Sequence, residues 1–199
     1  MRRVSGFTLI EVVVVVGIMA IVSSLMLANF PRFNKQIAVD REAGKLALAL
    51  RKAQSYALAV RDFNNPLFAD DPFCLTPPVR FPGYGLFIDL AEKSHYFIYG
   101  DIDCSTDHVS GLAEEEIVET VNFEGRVLIS DIIGFSPGLC GGGCSDLTEA
   151  SVLYVRPGPA IFIRSGGADY NYVEIIVSSS DGSVTKKVVA RFTGQVSIE

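Results

Sequence analysis

The sequence predicts an α+β fold in which a long N-terminal α-helix packs on an antiparallel β-sheet domain. Three observations carry that expectation. An almost unbroken apolar run extends from Phe7 to Phe30, long enough to cross a bilayer as a helix. A helical apolar periodicity then recurs from Ala43 to Val60. Beyond Pro82 the chain changes to short β-branched and aromatic runs separated by turn formers, the pattern of antiparallel strands.

The first segment holds the most informative feature. Glu11 lies inside the apolar run, within Phe7-Thr8-Leu9-Ile10-Glu11 and shortly after Gly6. An unpaired carboxylate at the bilayer centre costs about 2.5–3.5 kcal/mol on insertion scales, so Glu11 requires a partner. Arg2 and Arg3 precede the run with no acid before Glu11. The positive-inside bias therefore keeps the extreme N-terminus in the cytoplasm and sends the remainder outward. An ordinary secretory signal is cut after small residues that follow the apolar stretch, and Ala28, with the bulky Met26 two positions before it, makes a poor site. Gly6 is the small residue that fits a processing role, and cleavage there leaves the hydrophobic helix on the mature chain. The plainer alternative is a signal anchor whose glutamate snorkels to the interface, but an anchor needs neither Gly6, Phe7 nor Glu11 at these positions.

Ser5-Gly6 followed by Phe7-Thr8-Leu9-Ile10-Glu11 and a Val/Ile/Met/Ala-rich stretch resembles the class III leader of type IV pilins and type II secretion pseudopilins. The resemblance covers the segment to Phe30; beyond it the likeness is one of architecture. It implies a type IV pilin-like fold, cleavage by prepilin peptidase between Gly6 and Phe7, and N-methylation of the new Phe7 amine. It also implies that Glu11 neutralises the N-terminal amine of a neighbouring subunit. Elementary electrostatics supports that pairing, because opposite charges in a low dielectric attract strongly and each relieves the other's desolvation.

Pro31 lies just past the apolar run, where it could start a new helical turn or kink a continuing one. Ala43, Leu46, Leu50, Ala53, Ala57 and Val60 then fall at three- and four-residue steps on one helix face, with Arg41, Lys45, Lys52 and Arg61 on the polar remainder. Asn64-Asn65-Pro66 ends the helix, and turn formers continue to Pro82. The expected organisation is a leader at 1–6, a transmembrane or filament-core helix at 7–30, its amphipathic continuation at 31–62, and a globular β domain at 63–199 with a loop-rich insertion near 100–151. Strands are expected at Tyr84–Leu90, His95–Tyr99, Ile117–Phe123, Arg126–Ile129, Val152–Val155, Ala160–Ile163, Tyr172–Ser178, Val184–Phe192 and Gln195–Ile198. The clearest hairpin joins Tyr172–Ser178 to Val184–Phe192 through Ser180-Asp181-Gly182-Ser183. The alanine-rich Leu46 to Arg61 helix and the closing Phe192-Thr193-Gly194-Gln195-Val196 are similar to the minor pseudopilin H and FimT-like minor pilins.

Cys74, Cys104, Cys140 and Cys144 permit three disulfide pairings, and an outward-facing domain makes disulfides plausible. Cys140 with Cys144 would close a small glycine-rich ring and leave Cys74 to pair with Cys104. Zinc is the alternative, since Cys104 and His108 share the spacing of Cys140 and Cys144, although this is not a standard zinc pattern. Asp101, Asp103 and Asp107 could hold calcium, as acidic loops do in some major pseudopilins, but they lack the spacing of a known calcium loop. Neither metal nor cofactor is the expectation.

Catalysis finds no motif. A Gly-x-Ser-x-Gly elbow is missing, and His95 beside Tyr96 and Phe97 reads as structural. Gly83-Tyr84-Gly85 and Gly141–Gly143 lack the companions of a dinucleotide or phosphate loop and read as turns. Removing Arg2 and Arg3 from the 17 basic side chains leaves 15 against 23 acidic ones, a mature charge of −8 that does not favour a broad nucleic-acid surface. Lys186, Lys187 and Arg191 are a compact basic group, with Lys187 and Arg191 on one strand face; DNA contact in a FimT-like uptake role is the alternative reading.

The expected role is thus that of a non-enzymatic structural subunit, a minor pilin or pseudopilin. Its expected partners are prepilin peptidase with its N-methyltransferase activity, other pilin or pseudopilin subunits, the inner-membrane assembly platform and membrane lipid, with nucleic acid not expected. The expected location is the cytoplasmic membrane, crossed once, with the globular domain periplasmic or extracellular and the subunit in a pilus or pseudopilus once assembled.

Overall fold

The computed structural model describes residues 6–59, 83–101, 117–136, 144–155 and 160–199. Helix α1 spans Leu9–Leu58, and the chain divides into two compact units, Met1–Ile37 and Ala38–Glu199.

In the first unit the apolar run is helical, as its composition requires. Leu9–Leu27 has a mean hydropathy of 2.6 and none of it is buried within the protein, so a surface of this kind needs lipid or another protein around it. Ser24 satisfies its hydroxyl by donating to the Ile21 carbonyl at 2.8 Å, which makes it tolerable in apolar surroundings. The helix continues through Pro31, which supplies no N–H to the preceding turn.

The second unit contains the rest of α1 and eleven described strands. One sheet has the order β3-β2-β1-β6-β7-β8, built from Ile117–Asn122, His95–Asp101, Gly83–Asp89, Glu149–Val155, Ala160–Ser165 and Ala168–Asp169. The other has the order β11-β10-β9-β4-β5, built from Val196–Ile198, Thr185–Arg191, Tyr172–Ser179, Val127–Phe135 and Cys144–Asp146. Every pairing is antiparallel. This is an α+β, pilin-like arrangement of a long N-terminal helix followed by antiparallel sheets.

Of the helix stripe read from sequence, Ala43, Leu46, Leu50, Ala53 and Ala57 are buried and join Val39, Ala47 and Ala49 in the core, while Val60 lies outside the described residues. At 100° per residue these positions, with Glu42, sweep an arc of roughly 160°, wider than the stripe of a helix lying on a single surface. The core explains the width. Tyr84, Leu86, Ile88, Ile98 and Val152 from one sheet and Ile129, Ile132, Ile175, Val177 and Val188 from the other belong to one apolar cluster with the helix. Five of the buried positions in this stretch are alanines.

Sheet registers put these side chains in line, with Leu86 between Ile98 and Val152, and Ile175 between Ile132 and Val188. The alternate residues of the first sheet form a second apolar layer on its other face, where Phe87, Tyr99 and Leu153 are buried. Burial on both faces accounts for the lack of polar alternation in β1, β2 and β6. It also overturns the reading of Gly83-Tyr84-Gly85 as a turn. These residues open strand β1, and Gly85 is small because the Tyr99 ring lies over it, 2.5 Å from where a Cβ would stand.

The predicted hairpin joins β9 to β10. Ser179 and Ser183 hydroxyls donate to Asp181 Oδ1 at 2.8 and 2.9 Å, and Gly182 takes φ +69°. Strand β4 runs on to Phe135, past the expected end at Ile129, through a bulge between Ile129 and Asp131. The short β5 and β8 were not expected. Between β3 and β4, Gly125 and Arg126 take φ of 69° and 60°, carrying the chain from one sheet to the other.

Candidate functional site

The site that the sequence singles out is the start of α1. Thr8 precedes the first helical residue, and its side chain and that of Glu11 bond reciprocally. The Thr8 N–H and hydroxyl both donate to Glu11 Oε2 at 2.9 Å, and the Glu11 N–H approaches Thr8 Oγ1 at 3.4 Å. This is a capping box, in which a Thr at the N-cap and a Glu three residues on satisfy each other's exposed donors. The Thr-x-x-Glu spacing carries that signal, and the sequence reading did not use it. Glu11 is exposed, and both donors converge on Oε2, leaving Oε1 outside the box. Phe7 is 88% exposed just before it. Among the described residues nothing lies within 4 Å of where a Cβ on Gly6 would stand, so they place no steric demand for glycine there.

Residues 1–27 match the family model described as the prokaryotic N-terminal methylation motif. The chain carries a prepilin-type methylation motif. The match supports the class of type IV pilins and pseudopilins, processing by a peptidase, and anchoring in a membrane through the apolar helix. No curated protein and no solved structure matches the chain.

The other sequence-predicted residues are spread over the second unit. Cys144 is exposed at the start of β5, whereas Cys74, Cys104 and Cys140 lie outside the described residues, as do His108, Asp103 and Asp107. Asp101 is buried at the end of β2. His95 pairs with Glu92 at 2.7 Å and packs edge-on against Phe97. Among the described residues no cluster of three metal-ligating side chains occurs.

Strand alternation places Lys186 on one face of β10 and Lys187 with Arg191 on the other. Lys186 reaches Asp40 of α1 at 3.5 Å, while Lys187 bonds Glu174 of β9 at 2.9 Å. The Glu174 hydrogen bond and charge raise the Lys187 ammonium above its ordinary value, so it stays charged and committed to that partner. Arg191 instead lies 4.8 Å from the centre of the Tyr172 ring, and Tyr172 stacks in parallel on Phe135 at 4.3 Å.

Proposed function

We propose that the protein is a minor pilin or pseudopilin, a structural subunit of a type II secretion pseudopilus or a type IV pilus. The methylation motif spanning residues 1–27, with Glu11 inside a membrane-length apolar helix, carries this reading. Prepilin peptidase removes residues 1–6 and methylates Phe7, and the subunit waits in the cytoplasmic membrane with its globular part outside. During assembly Glu11 pairs with the Phe7 amine of a neighbouring subunit. The capping box suits that exchange: it satisfies one carboxylate oxygen within the free subunit and leaves the other for the incoming amine. The steric indifference of the described residues to residue 6 supports a requirement for Gly6 that comes from a processing enzyme.

The alanine-rich helix buried between two sheets and the closing turn at Gly194 support the pseudopilin H or FimT-like group within this class. DNA contact through Lys187 and Arg191 has weaker support, because Lys187 is already engaged by Glu174. The deciding experiment is intact mass and N-terminal sequencing of protein recovered from cells that contain a prepilin peptidase. A chain beginning at methylated Phe7 is expected. An uncut Met1, or cleavage after Ala28, would overturn the assignment.

A further inference from the structure

A groove of about 540 Å³ opens on the outer face of the second sheet, lined by Asn171, Tyr172, Arg191, Phe192, Gln195 and Ser197, with Thr193 and Glu199 completing its rim. Its backbone is fixed. The Asn171 N–H donates to the Phe135 carbonyl, Phe192 N–H to the Asn171 carbonyl, and Arg191 N–H to the Gln195 carbonyl, at 2.7–3.0 Å. Gly194 closes the turn at φ +85°.

Charge selects the occupant. Lys186 and Lys187 each have a carboxylate, but Arg191 makes no ion pair among the described residues. Its guanidinium is held against Tyr172, which Phe135 braces from the next strand, so much of the ordering entropy of the side chain is already spent. Beside it Phe192 is 55% exposed, an aromatic ring that the fold leaves uncovered. A preorganised arginine next to an exposed aromatic is the composition of an interface hot spot. Asn171 and Gln195 supply paired donors and acceptors of the kind an extended peptide backbone needs. A polyanion fits less well. A single available cation, with Glu174 and Glu199 flanking Lys187, offers too little charge to neutralise several phosphates, whereas one carboxylate is satisfied by one guanidinium fork.

We propose that this groove binds an extended segment of a partner protein that carries a single carboxylate, placing that carboxylate on Arg191 and an adjacent apolar side chain against Phe192. The proposal concerns the second unit and stands independently of the N-terminal assembly reading. It is tested with the full chain in detergent micelles and a fluorescent octapeptide of serines carrying one central aspartate followed by valine, read by polarisation. The lysine-for-aspartate peptide and a single-stranded oligonucleotide serve as competitors. Saturable binding of the aspartate peptide is expected, weakened at least about tenfold in both Arg191→Gln and Phe192→Ser and resistant to both competitors. Arg191→Lys should fall between wild type and Arg191→Gln. Circular dichroism confirms that each variant is folded, and processing at Phe7 should be unchanged in all of them. The absence of saturable binding, equal binding by Arg191→Gln, or displacement by the lysine peptide would each overturn the proposal. Displacement by the oligonucleotide would overturn it in favour of nucleic acid.

Discussion

Glu11 shows how much chemistry a single residue can carry and how much of it depends on a neighbour. The glutamate was legible in the sequence because a carboxylate has no reason to lie in an apolar run unless something pairs with it. Its hold on Thr8 was equally present in the spacing, but the contrast of charge with lipid drew attention away from the hydroxyl. Thr8→Val keeps the shape of the side chain and removes one of the two donors to Glu11 Oε2, the hydroxyl, while the Thr8 N–H remains. We expect normal processing with fewer assembled subunits, and restoration by Thr8→Ser; quantifying sheared filaments against membrane-bound protein checks both. Glu11→Ala should remain in the membrane and be lost from filaments altogether, and its entry at wild-type levels would remove the pairing mechanism. Gly85 taught the opposite lesson, since a glycine pair that suggests a turn is in fact a strand segment under an aromatic ring. The Tyr99 hydroxyl is bonded to Ser151 in a buried setting, so the ring cannot swing away. Gly85→Ala should therefore destabilise by about 1–3 kcal/mol, measured by denaturant unfolding.

Among the elements, α1 was the most legible because its period is long and its apolar positions are regular. What the periodicity missed was the burial of Glu42, Ala47 and Ala49 on the flanks of the stripe, where the helix shares one apolar cluster with both sheets, and a single helix cannot reveal how many partners it has. Strand β4 was cut short because its bulge interrupts the alternation on which strands are recognised, and β5 and β8 are too short to show any. The polar positions of the helix were also more than a solvated face. Arg41 and Lys45 reach Glu124 in the β3–β4 turn at 3.0 and 3.1 Å, and both also bond the buried Glu42 at 3.1 Å. Glu124 is held below its ordinary 4.5, first by the Lys45 hydrogen bond and then by the charges of Lys45 and Arg41. Lys45 is raised above 10.5, chiefly by its bonds to Glu124 and Glu42. A lowered carboxylate contributes stability that is present above 4.5 and is lost as pH falls through its folded value; a raised lysine contributes below 10.5 and loses it as pH rises through its folded value. Glu124→Gln should therefore melt below the wild type at neutral pH, with the gap closing in acid as the native carboxylate is protonated. Thermal melts of the two proteins across pH would show this, and a gap unchanged down to strongly acidic pH would mean that Glu124 acts other than through its charge. Because these groups are substantially exposed, the gap at neutral pH should be small.

The molecule as a whole combines two surfaces with opposite solvent demands. Leu9–Leu27 exposes its entire apolar circumference, whereas the apolar cluster of the second unit is closed by the second unit's own strands and its own part of α1. A unit with a complete core should fold without its neighbour, since its stability draws on burial within itself. A fragment beginning at Lys35 and ending at Glu199 should therefore be soluble without detergent, melt in one cooperative transition and remain monomeric. The core is built on α1 residues, so this holds only if the fragment keeps the helix from Val39 to Ala57. A shorter fragment beginning at Gly83 would expose the inner faces of both sheets and should aggregate or fail to fold. Leu50→Ala in the longer fragment provides the scale, because it removes one fully buried leucine from that interface and should cost about 2–5 kcal/mol. Size-exclusion chromatography and calorimetry of the three proteins separate the possibilities. If the longer fragment proves insoluble, the exposed apolar helix is not the feature that ties the protein to membrane or filament. If it is soluble yet can no longer enter filaments, anchoring and assembly both reside in the segment that carries Phe7 and Glu11.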